Sequence, residues 1–263
     1  MRTLRYLLTR AAYALPVIWL VVSVVFLLIH LVPGDPILQM LGEGAPTADI
    51  AATRHAYGLD IPLGQQYLHY WKGVLHGDLG PSLRFNQNVT RLIAQRYPYT
   101  LQLTVAALLV ALIISIPAGV RSAQRRGRWD DKTLSVVSLL GLSFPNFALG
   151  PILILLFSIK FGLLPVSGSE SFAHLVLPAI TMGGSLAAIL TVVGLQFGAL
   201  LAGAIVTETI FSWPGIGRLT IQAIGNRDYY LVQGCILAIG LTYVAVNFLT
   251  DLLYSAVNPR IRQ

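Results

Sequence analysis

Four stretches of this chain, Ala14 to Val32, Leu101 to Val120, Leu134 to Ile159 and Val232 to Thr250, contain no Asp, Glu, Lys or Arg. Each is near or above the roughly 20 residues that cross a bilayer as a helix. A helix on the surface of a soluble protein keeps one polar face, and these runs have none. Composition agrees: 55% of residues are hydrophobic and 11% charged, where an average soluble domain carries roughly 25% charged residues. The pattern predicts an all-α integral membrane protein. The formal charge of +7 does not point to nucleic acid, because the basic residues cluster beside apolar runs instead of forming a stripe on a soluble fold. The single cysteine, Cys235, can form no internal disulfide and leaves the redox compartment open.

Charge asymmetry predicts the topology. Arg2, Arg5 and Arg10 precede the first run, and Leu31, Val32, Pro33 and Gly34 follow it with no small-residue cleavage site. A retained first helix with a cytoplasmic N-terminus is expected, not a cleaved signal peptide. The second run then returns to the cytoplasm, where Arg121, Arg125, Arg126, Arg128 and Lys132 stand against Asp130 and Asp131. Arg260 and Arg262 follow the last run, so the C-terminus is also expected inside and the number of crossings even. This divides the chain into an N-terminal stub with the first helix (1–32), an extracytoplasmic segment (33–97), a membrane domain (98–257) and a cytoplasmic tail (258–263). In the outer segment, Asp60 and Pro62 read as a helix start, and Leu63, Tyr67, Trp71 and Val74 recur near helical spacing. Pro145 and Pro151 are expected to kink the third run, since each removes a backbone donor.

The region from Phe172 to Phe211 conflicts with that parity. As one helix its roughly 40 residues would reach about 60 Å, twice the hydrocarbon thickness. As a hairpin, each arm would reach roughly 27 Å, just enough to span. Yet the midpoint, Leu190 and Thr191, carries no turn residues, and the Gly183-Gly184 pair lies too far toward the N-terminal side. The region ends in GLQFGALLAGAIVTETIFSWPGIGRL, Gly194 to Leu219. Glu208 stands where hydrocarbon should give way to headgroups, because a charge at bilayer depth costs on the order of 2.5 to 3.5 kcal/mol or more. Ser212, Trp213, Pro214 and Gly215 supply an interfacial aromatic and a helix stop. Glu208 is thus a carboxylate of the interface or of a solute path, with Arg218 as a candidate partner. The small residues Gly194, Gly198, Ala199 and Gly203 allow close helix approach.

These residues carry a family resemblance. The chain resembles the B-type permease subunit of bacterial ABC importers of the dipeptide, oligopeptide, glutathione and nickel group. The matching segments are HLVPGDP (His30 to Pro36), YGLDIPLGQQYLHYWKGVLHGDLG (Tyr57 to Gly80), GLSFPNFALG (Gly141 to Gly150), LLPVSG (Leu163 to Gly168), HLVLPAIT (His174 to Thr181), the ETIFSWPG region, RDYYLVQG (Arg227 to Gly234) and NFLTDLLYSAVNPRIR (Asn247 to Arg262). They cover nearly the whole chain in order. The resemblance implies a type-I ABC importer transmembrane domain of about six helices, in the bacterial inner membrane. It implies a second homologous permease, two ATP-binding subunits and an extracytoplasmic solute-binding protein as partners, with the lipid bilayer around them and no nucleic acid. It also implies transport of di- or oligopeptides or similar small solutes by alternating access. On this reading Gly34, Asp35, Pro36, Phe211, Trp213, Pro214 and Gly215 are candidates for the outer surface that meets the binding protein.

One departure stands out. In similar permeases the helix that begins HLVLPAIT is followed by a cytoplasmic segment of several tens of residues, with a short Glu-Ala-Ala-type coupling helix, before the helix that reads TVVGLQFG. Here Leu190 runs straight into Thr191. The coupling loop is absent at the junction where the length argument found no turn, and the fourth and fifth helices are expected to be fused or shortened. Without a docked element, ATPase closure cannot bias the membrane helices.

Other classes find less support. No G-x-x-x-x-G-K-[ST] phosphate loop is present, so ATP must be hydrolysed on another chain. No H-E-x-x-H or G-x-S-x-G motif points to an enzyme, and no catalytic residue, cofactor or metal site is assigned. The histidines His30, His55, His69, His76 and His174 lack metal spacing. A secondary transporter should show internal repeats and ionisable groups at mid-membrane depth, and neither is evident. A membrane subunit that has lost coupling remains the main alternative.

Overall fold

A computed structural model of the chain describes residues 2–31, 36–42, 44–56, 58–82, 84–125, 127–129, 132–133, 136, 145–193 and 197–257. The chain divides into two compact units, one of Met1–Gln95 with Thr220–Gln263 and one of Arg96–Leu219. Among the described residues, Val89–Gln124 and Tyr229–Thr250 are long and apolar enough to cross a membrane.

In the first unit, α1 (Arg2–Leu31) packs along α10 (Tyr229–Val257). Val22 and Val25 meet Leu237, with Ile18, Val21 and Leu241 around them. The approach is close because Gly240 faces α1: a Cβ there would lie 2.8 Å from Val21 Cγ1. Small residues at such crossings replace the hydrophobic drive that lipid does not supply. The opposite face of α1 exposes Tyr13, Val17, Leu20, Val24 and Leu31, as a helix surrounded by lipid should.

The outer segment of this unit contains α2 (Pro36–Leu41), α3 (Thr47–Ala56) and α4 (Leu63–His76). Pro62 stands at the extended N-cap of α4, and Gly77 (φ 71°) ends it, with Asp78 N–H donating to the Gly73 carbonyl at 2.9 Å. Of the expected apolar stripe, Tyr67, Trp71 and Val74 pack on or near α1, whereas Leu63 is exposed and Tyr70 takes part instead. Phe26 of α1 is the centre of this contact, with its ring 5.2 Å from Tyr67 and 5.7 Å from Tyr70. Asp60 does not cap α4. Its Oδ2 lies 2.7 Å from His55 Nδ1.

Past α4, a short hairpin pairs β1 (Pro81–Ser82) with β2 (Gln87–Asn88), Pro81 opposite Asn88 and Ser82 opposite Gln87. The Ser82 hydroxyl donates to Asp228 Oδ2, while Asp228 Oδ1 accepts from Leu231 N–H at 3.2 Å. Asp228 therefore caps α10 and ties the hairpin to it.

The second unit holds most of α5 (Val89–Gln124), α6 (Asn146–Leu153) with its π-helical continuation Ile154–Lys160, α7 (Ala173–Val193), α8 (Phe197–Ile210) and the first turn of α9 (Ile216–Gly225). On α5, Leu103, Ala107 and Ala111 are buried, while Leu101, Val105, Leu109 and Ile113 on another face are exposed. The buried face meets Met182 of α7 and Ala204 of α8. At Gly183 the helices nearly touch, since a Cβ there would sit 2.5 Å from the Ala107 carbonyl oxygen. The stretch flagged for close approach, Gly194 to Gly203, begins outside the described residues.

Pro145 lies at the extended N-cap of α6 and starts that helix instead of kinking it. Pro151 lies inside α6, and the π-helical turn follows directly. Its wider spacing persists at the end, where Phe161 N–H donates to the Leu156 carbonyl at 3.0 Å. Most of the N-terminal half of the third apolar run lies outside the described residues.

α7 and α8 are separate helices that run antiparallel. Gly168 N–H, before α7, donates to the Phe211 carbonyl, after α8, at 3.1 Å, and Met182 and Ala204 share one core. Of the two readings of Phe172 to Phe211, this is the hairpin, and the fourth and fifth helices are not fused. The break differs from the expected midpoint: α7 continues through Leu190 and Thr191 to Val193, and α8 begins at Phe197. Hence α7 reaches about 31 Å and α8 about 21 Å.

Candidate functional site

The end of α8 and the start of α9 form one hydrogen-bonded turn within the second unit. Trp213 N–H donates to the Glu208 carbonyl at 2.8 Å and Ser212 N–H to the Thr209 carbonyl at 3.3 Å. Together these make a Schellman motif, with Ser212 at the left-handed position (φ 53°) that glycine usually fills. The Trp213 indole N–H donates to the Tyr99 carbonyl at 2.8 Å, and its ring meets Tyr99 edge-on at 6.1 Å.

α9 starts at Ile216, preceded by Gly215, whose carbonyl accepts the first helical bond from Leu219 N–H at 3.1 Å. Glycine has no side chain with which to cap the free N–H groups. Two residues from elsewhere do it. Thr100 Oγ1 accepts from Ile216 N–H at 2.8 Å, and Glu208 Oε2 accepts from Arg218 N–H at 3.0 Å. The Thr100 hydroxyl then donates to Glu208 Oε1 at 2.6 Å, which closes the network. A carboxylate at a helix N-terminus also faces the positive end of the helix dipole.

The carboxylate fits because nothing else occupies its space. A Cβ on Gly215 would lie 2.1 Å from Glu208 Oε1, and one on Gly217 would lie 2.9 Å from Oε2. Glu208 is 0% exposed. Within the unit it is a buried cap of α9. Arg218 does partner it, but through the backbone N–H, while the guanidinium donates to the Ser212 carbonyl at 2.5 Å.

Among the other candidates, Phe211, Trp213 and Gly215 are buried within their own unit and Pro214 is half-buried. Gly34 and Asp35 lie outside the described residues, and Pro36 begins α2. Sequence reasoning missed Thr100, which lies 108 residues from Glu208 and has no local signal.

Beside the turn, the second unit has an open groove of about 770 Å³ lined mainly by Leu101, Gln102, Val105, Glu170, Phe172 and Trp213. The first unit has a smaller cavity of about 250 Å³, edged by His30, Gln66, Tyr70, Asp78, Tyr230 and Gln233. The Tyr70 hydroxyl is buried without a hydrogen-bond partner, and burial holds its proton above the usual phenol range. The histidines are dispersed. His30 Nε2 meets Gln66 Oε1 at 3.1 Å, His76 Nδ1 meets the Lys72 carbonyl at 2.7 Å, and His174 Nδ1 meets Ser171 Oγ at 2.9 Å. Among the described residues no three His, Cys, Asp or Glu side chains converge as a metal site.

Comparison with known proteins follows this geometry. The family described as binding-protein-dependent transport system inner membrane component matches residues 115–188 and 183–263, and its N-terminal component matches residues 3–104. The glutathione transport system permease proteins GsiC of Escherichia coli, Salmonella typhi and Pectobacterium atrosepticum are each 35% identical, covering 98% of this chain and 99% of the relative. These alignments run over 303 positions. Because 98% of 263 residues is fewer, about 45 positions of the relative stand opposite no residue here. The two family matches meet at 183–188, close to Leu190.

Proposed function

The chain belongs to the family of binding-protein-dependent transport system inner membrane components, and from that premise we propose that it carries short peptides, glutathione included, across the membrane by alternating access. It is the permease subunit of an ATP-binding-cassette importer and an integral protein of the inner membrane, with ATP hydrolysis on separate subunits. The observation that carries the substrate proposal is the similarity over almost the full length of both chains to permeases named for glutathione transport. One homologous permease, two ATP-binding subunits and a solute-binding protein complete the proposed assembly. Both termini face the cytoplasm, residues 33–97 face outward, and residues 98–257 form the membrane domain.

In this arrangement the groove beside Trp213 opens toward the partner permease and contributes to the solute path, with Gln102 and Glu170 as its polar contacts. The capped turn from Phe211 to Gly217 underlies a face that meets the binding protein, and the segment Gly34 to Pro36 is a second candidate for such a contact. The test is uptake of labelled glutathione into proteoliposomes that hold the complete assembly. Expected is ATP-dependent uptake that unlabelled dipeptides compete. Uptake that follows an ion gradient and needs no ATP-binding subunit would overturn it in favour of a secondary transporter.

A second reading has its own support. α7 runs as helix through Leu190 and Thr191, and the relatives carry about 45 positions that stand opposite no residue of this chain. On this reading the unmatched positions are the coupling segment, and the chain is an uncoupled permease subunit.

A further inference from the structure

The cavity of about 250 Å³ in the first unit is lined by α1, α4, α10 and the turn after α4, and it far exceeds the about 10–15 Å³ that one water needs. Its polar wall offers acceptors. Gln233 of α10 is 5% exposed and gives its Nε2 to the Val25 carbonyl of α1 at 3.0 Å, which leaves Oε1 without a donor among the described residues. A buried acceptor in that state costs free energy until something donates to it. Asp78 supplies the second acceptor and a charge. Its backbone is drawn onto α4 because Gly73 has no side chain: a Cβ there would lie 2.5 Å from the Asp78 carbonyl oxygen. Asn88 Nδ2 at 2.8 Å and Gly80 N–H at 3.1 Å both donate to Oδ1, so Oδ2 has no donor among the described residues. The Asn88 bond, and then the Gly80 bond, hold the carboxyl below its usual range, and Asp78 is charged at neutral pH.

Nothing in the wall answers that charge. Among the described residues no Lys or Arg lines the cavity. Gln66 is already engaged, since its Nε2 donates to the Ile61 carbonyl at 2.7 Å and its Oε1 accepts from His30 Nε2 at 3.1 Å. Much of the remaining wall is carbon, with the Phe26 and Tyr70 rings 5.7 Å apart, and aromatic faces attract cations. An anion would meet the Asp78 carboxylate and find no cation. A metal ion would lack ligands, because no three His, Cys, Asp or Glu side chains converge among the described residues. A bare alkali ion would exchange water for carbon at a cost. An organic cation matches both parts of the wall.

We propose that this cavity binds a small primary ammonium, with Asp78 and Gln233 supplying the acceptors and Phe26 and Tyr70 the carbon wall. The site shares no residue with the groove of the second unit and is independent of what that groove carries. Two sources offer the chemistry, a free amine and the N-terminus of a short peptide.

The test uses the full chain in phosphatidylcholine nanodiscs, with n-butylammonium as the probe, saturation-transfer NMR as the readout and empty nanodiscs as the background. Expected is saturable binding of butylammonium, and none of butanol or butyrate, which keep the carbon chain and change the head. Asp78→Asn retains Oδ1 as the acceptor for Gly80 and Asn88, so the thermal midpoint should stay in place while butylammonium binds about ten-fold more weakly. Should that variant fail to fold, the three ligands compared on the unaltered chain still decide. Competition by dialanine but not by N-acetyl-dialanine would make peptide N-termini the source, and competition by neither would make it free amines; both results uphold the ammonium site. Three results would overturn it: no butylammonium signal above the empty nanodiscs, butanol or butyrate binding as well as butylammonium, or a folded Asp78→Asn that binds it unchanged.

Discussion

A carboxylate without exposed surface is tolerated only when donors saturate its oxygens, and Glu208 meets that condition with the buried Thr100 hydroxyl and the half-buried Arg218 N–H. Replacing it tests which feature matters. In Glu208→Gln the amide nitrogen must face either the Thr100 hydroxyl or Arg218 N–H, so one donor loses its acceptor, at about 1–3 kcal/mol. Glu208→Ala leaves both donors unpaired and should lower the thermal midpoint further. Gly215→Ala should be at least as harmful as the Gln variant, because its Cβ would fall on the carboxylate; overpacking costs roughly 1–3 kcal/mol. Hydrogen exchange at the Arg218 amide reads the same effect locally, and slow exchange retained in Glu208→Ala would reject the capping role. At the surface, His55 and Asp60 make a different pair. The Asp60 carboxylate accepting from His55 raises the imidazole above its ordinary 6.5, and the same bond lowers Asp60 below 3.8. The His55 contribution is therefore complete below pH 6.5 and is lost as pH rises through its raised value. The Asp60 contribution is present above 3.8 and is lost as pH falls through its lowered value. Asp60→Asn should return the His55 titration, followed by NMR, to near 6.5; an unchanged midpoint would separate the two residues.

Elements were legible in the sequence to the degree that local chemistry decides them. The spans in α5 and α10 could be read because hydrocarbon excludes charge, and α4 could be read because Pro62 and Gly77 mark its ends. Leu63 shares the face of Tyr67, Tyr70 and Val74 by helical spacing yet is exposed, because spacing alone does not say how far along the helix a neighbour covers that face. The α7–α8 break was set at the arithmetical midpoint, Leu190 and Thr191, yet α7 continues as helix to Val193, and no local turn signal in the sequence separates the two positions. Glu208 as a cap was illegible, since its partner Thr100 arrives from α5. The end of α8 illustrates the same limit. Trp-Pro-Gly reads as the stop, but the helix closes one residue earlier, at Ser212, in a conformation that suits glycine better. A residue with a Cβ in that region costs roughly 1–2 kcal/mol. Ser212→Gly should therefore add about 1 kcal/mol of stability and raise the thermal midpoint, because the Ser212 groups recorded in the turn are its backbone N–H and carbonyl. A lowered midpoint would mean that the hydroxyl contributes more than the backbone strain costs.

At the scale of the molecule, a permease moves only as far as its ATP-binding partner can favour one state over the other. Only three residues lie in the sequence between the described ends of the antiparallel α7–α8 pair, fewer than one helical turn. If the unmatched positions of the relatives are a docking element, the two faces of the assembly are unequal, and the partner permease supplies most of the coupling. Inserting a family-like segment between Leu190 and Thr191 should then tighten docking of the ATP-binding subunits. A coupling free energy of about 1–3 kcal/mol corresponds to roughly 5- to 150-fold in affinity, measurable by titrating those subunits onto the reconstituted permease pair. ATP-dependent uptake should rise with it. Equal docking and equal uptake with and without the insertion would show that the short connection costs this permease nothing, and that the partner subunit alone links ATP hydrolysis to transport. Tighter docking without faster uptake would separate attachment of the motor from transmission of its stroke, and would place the defect in the α7–α8 pair itself.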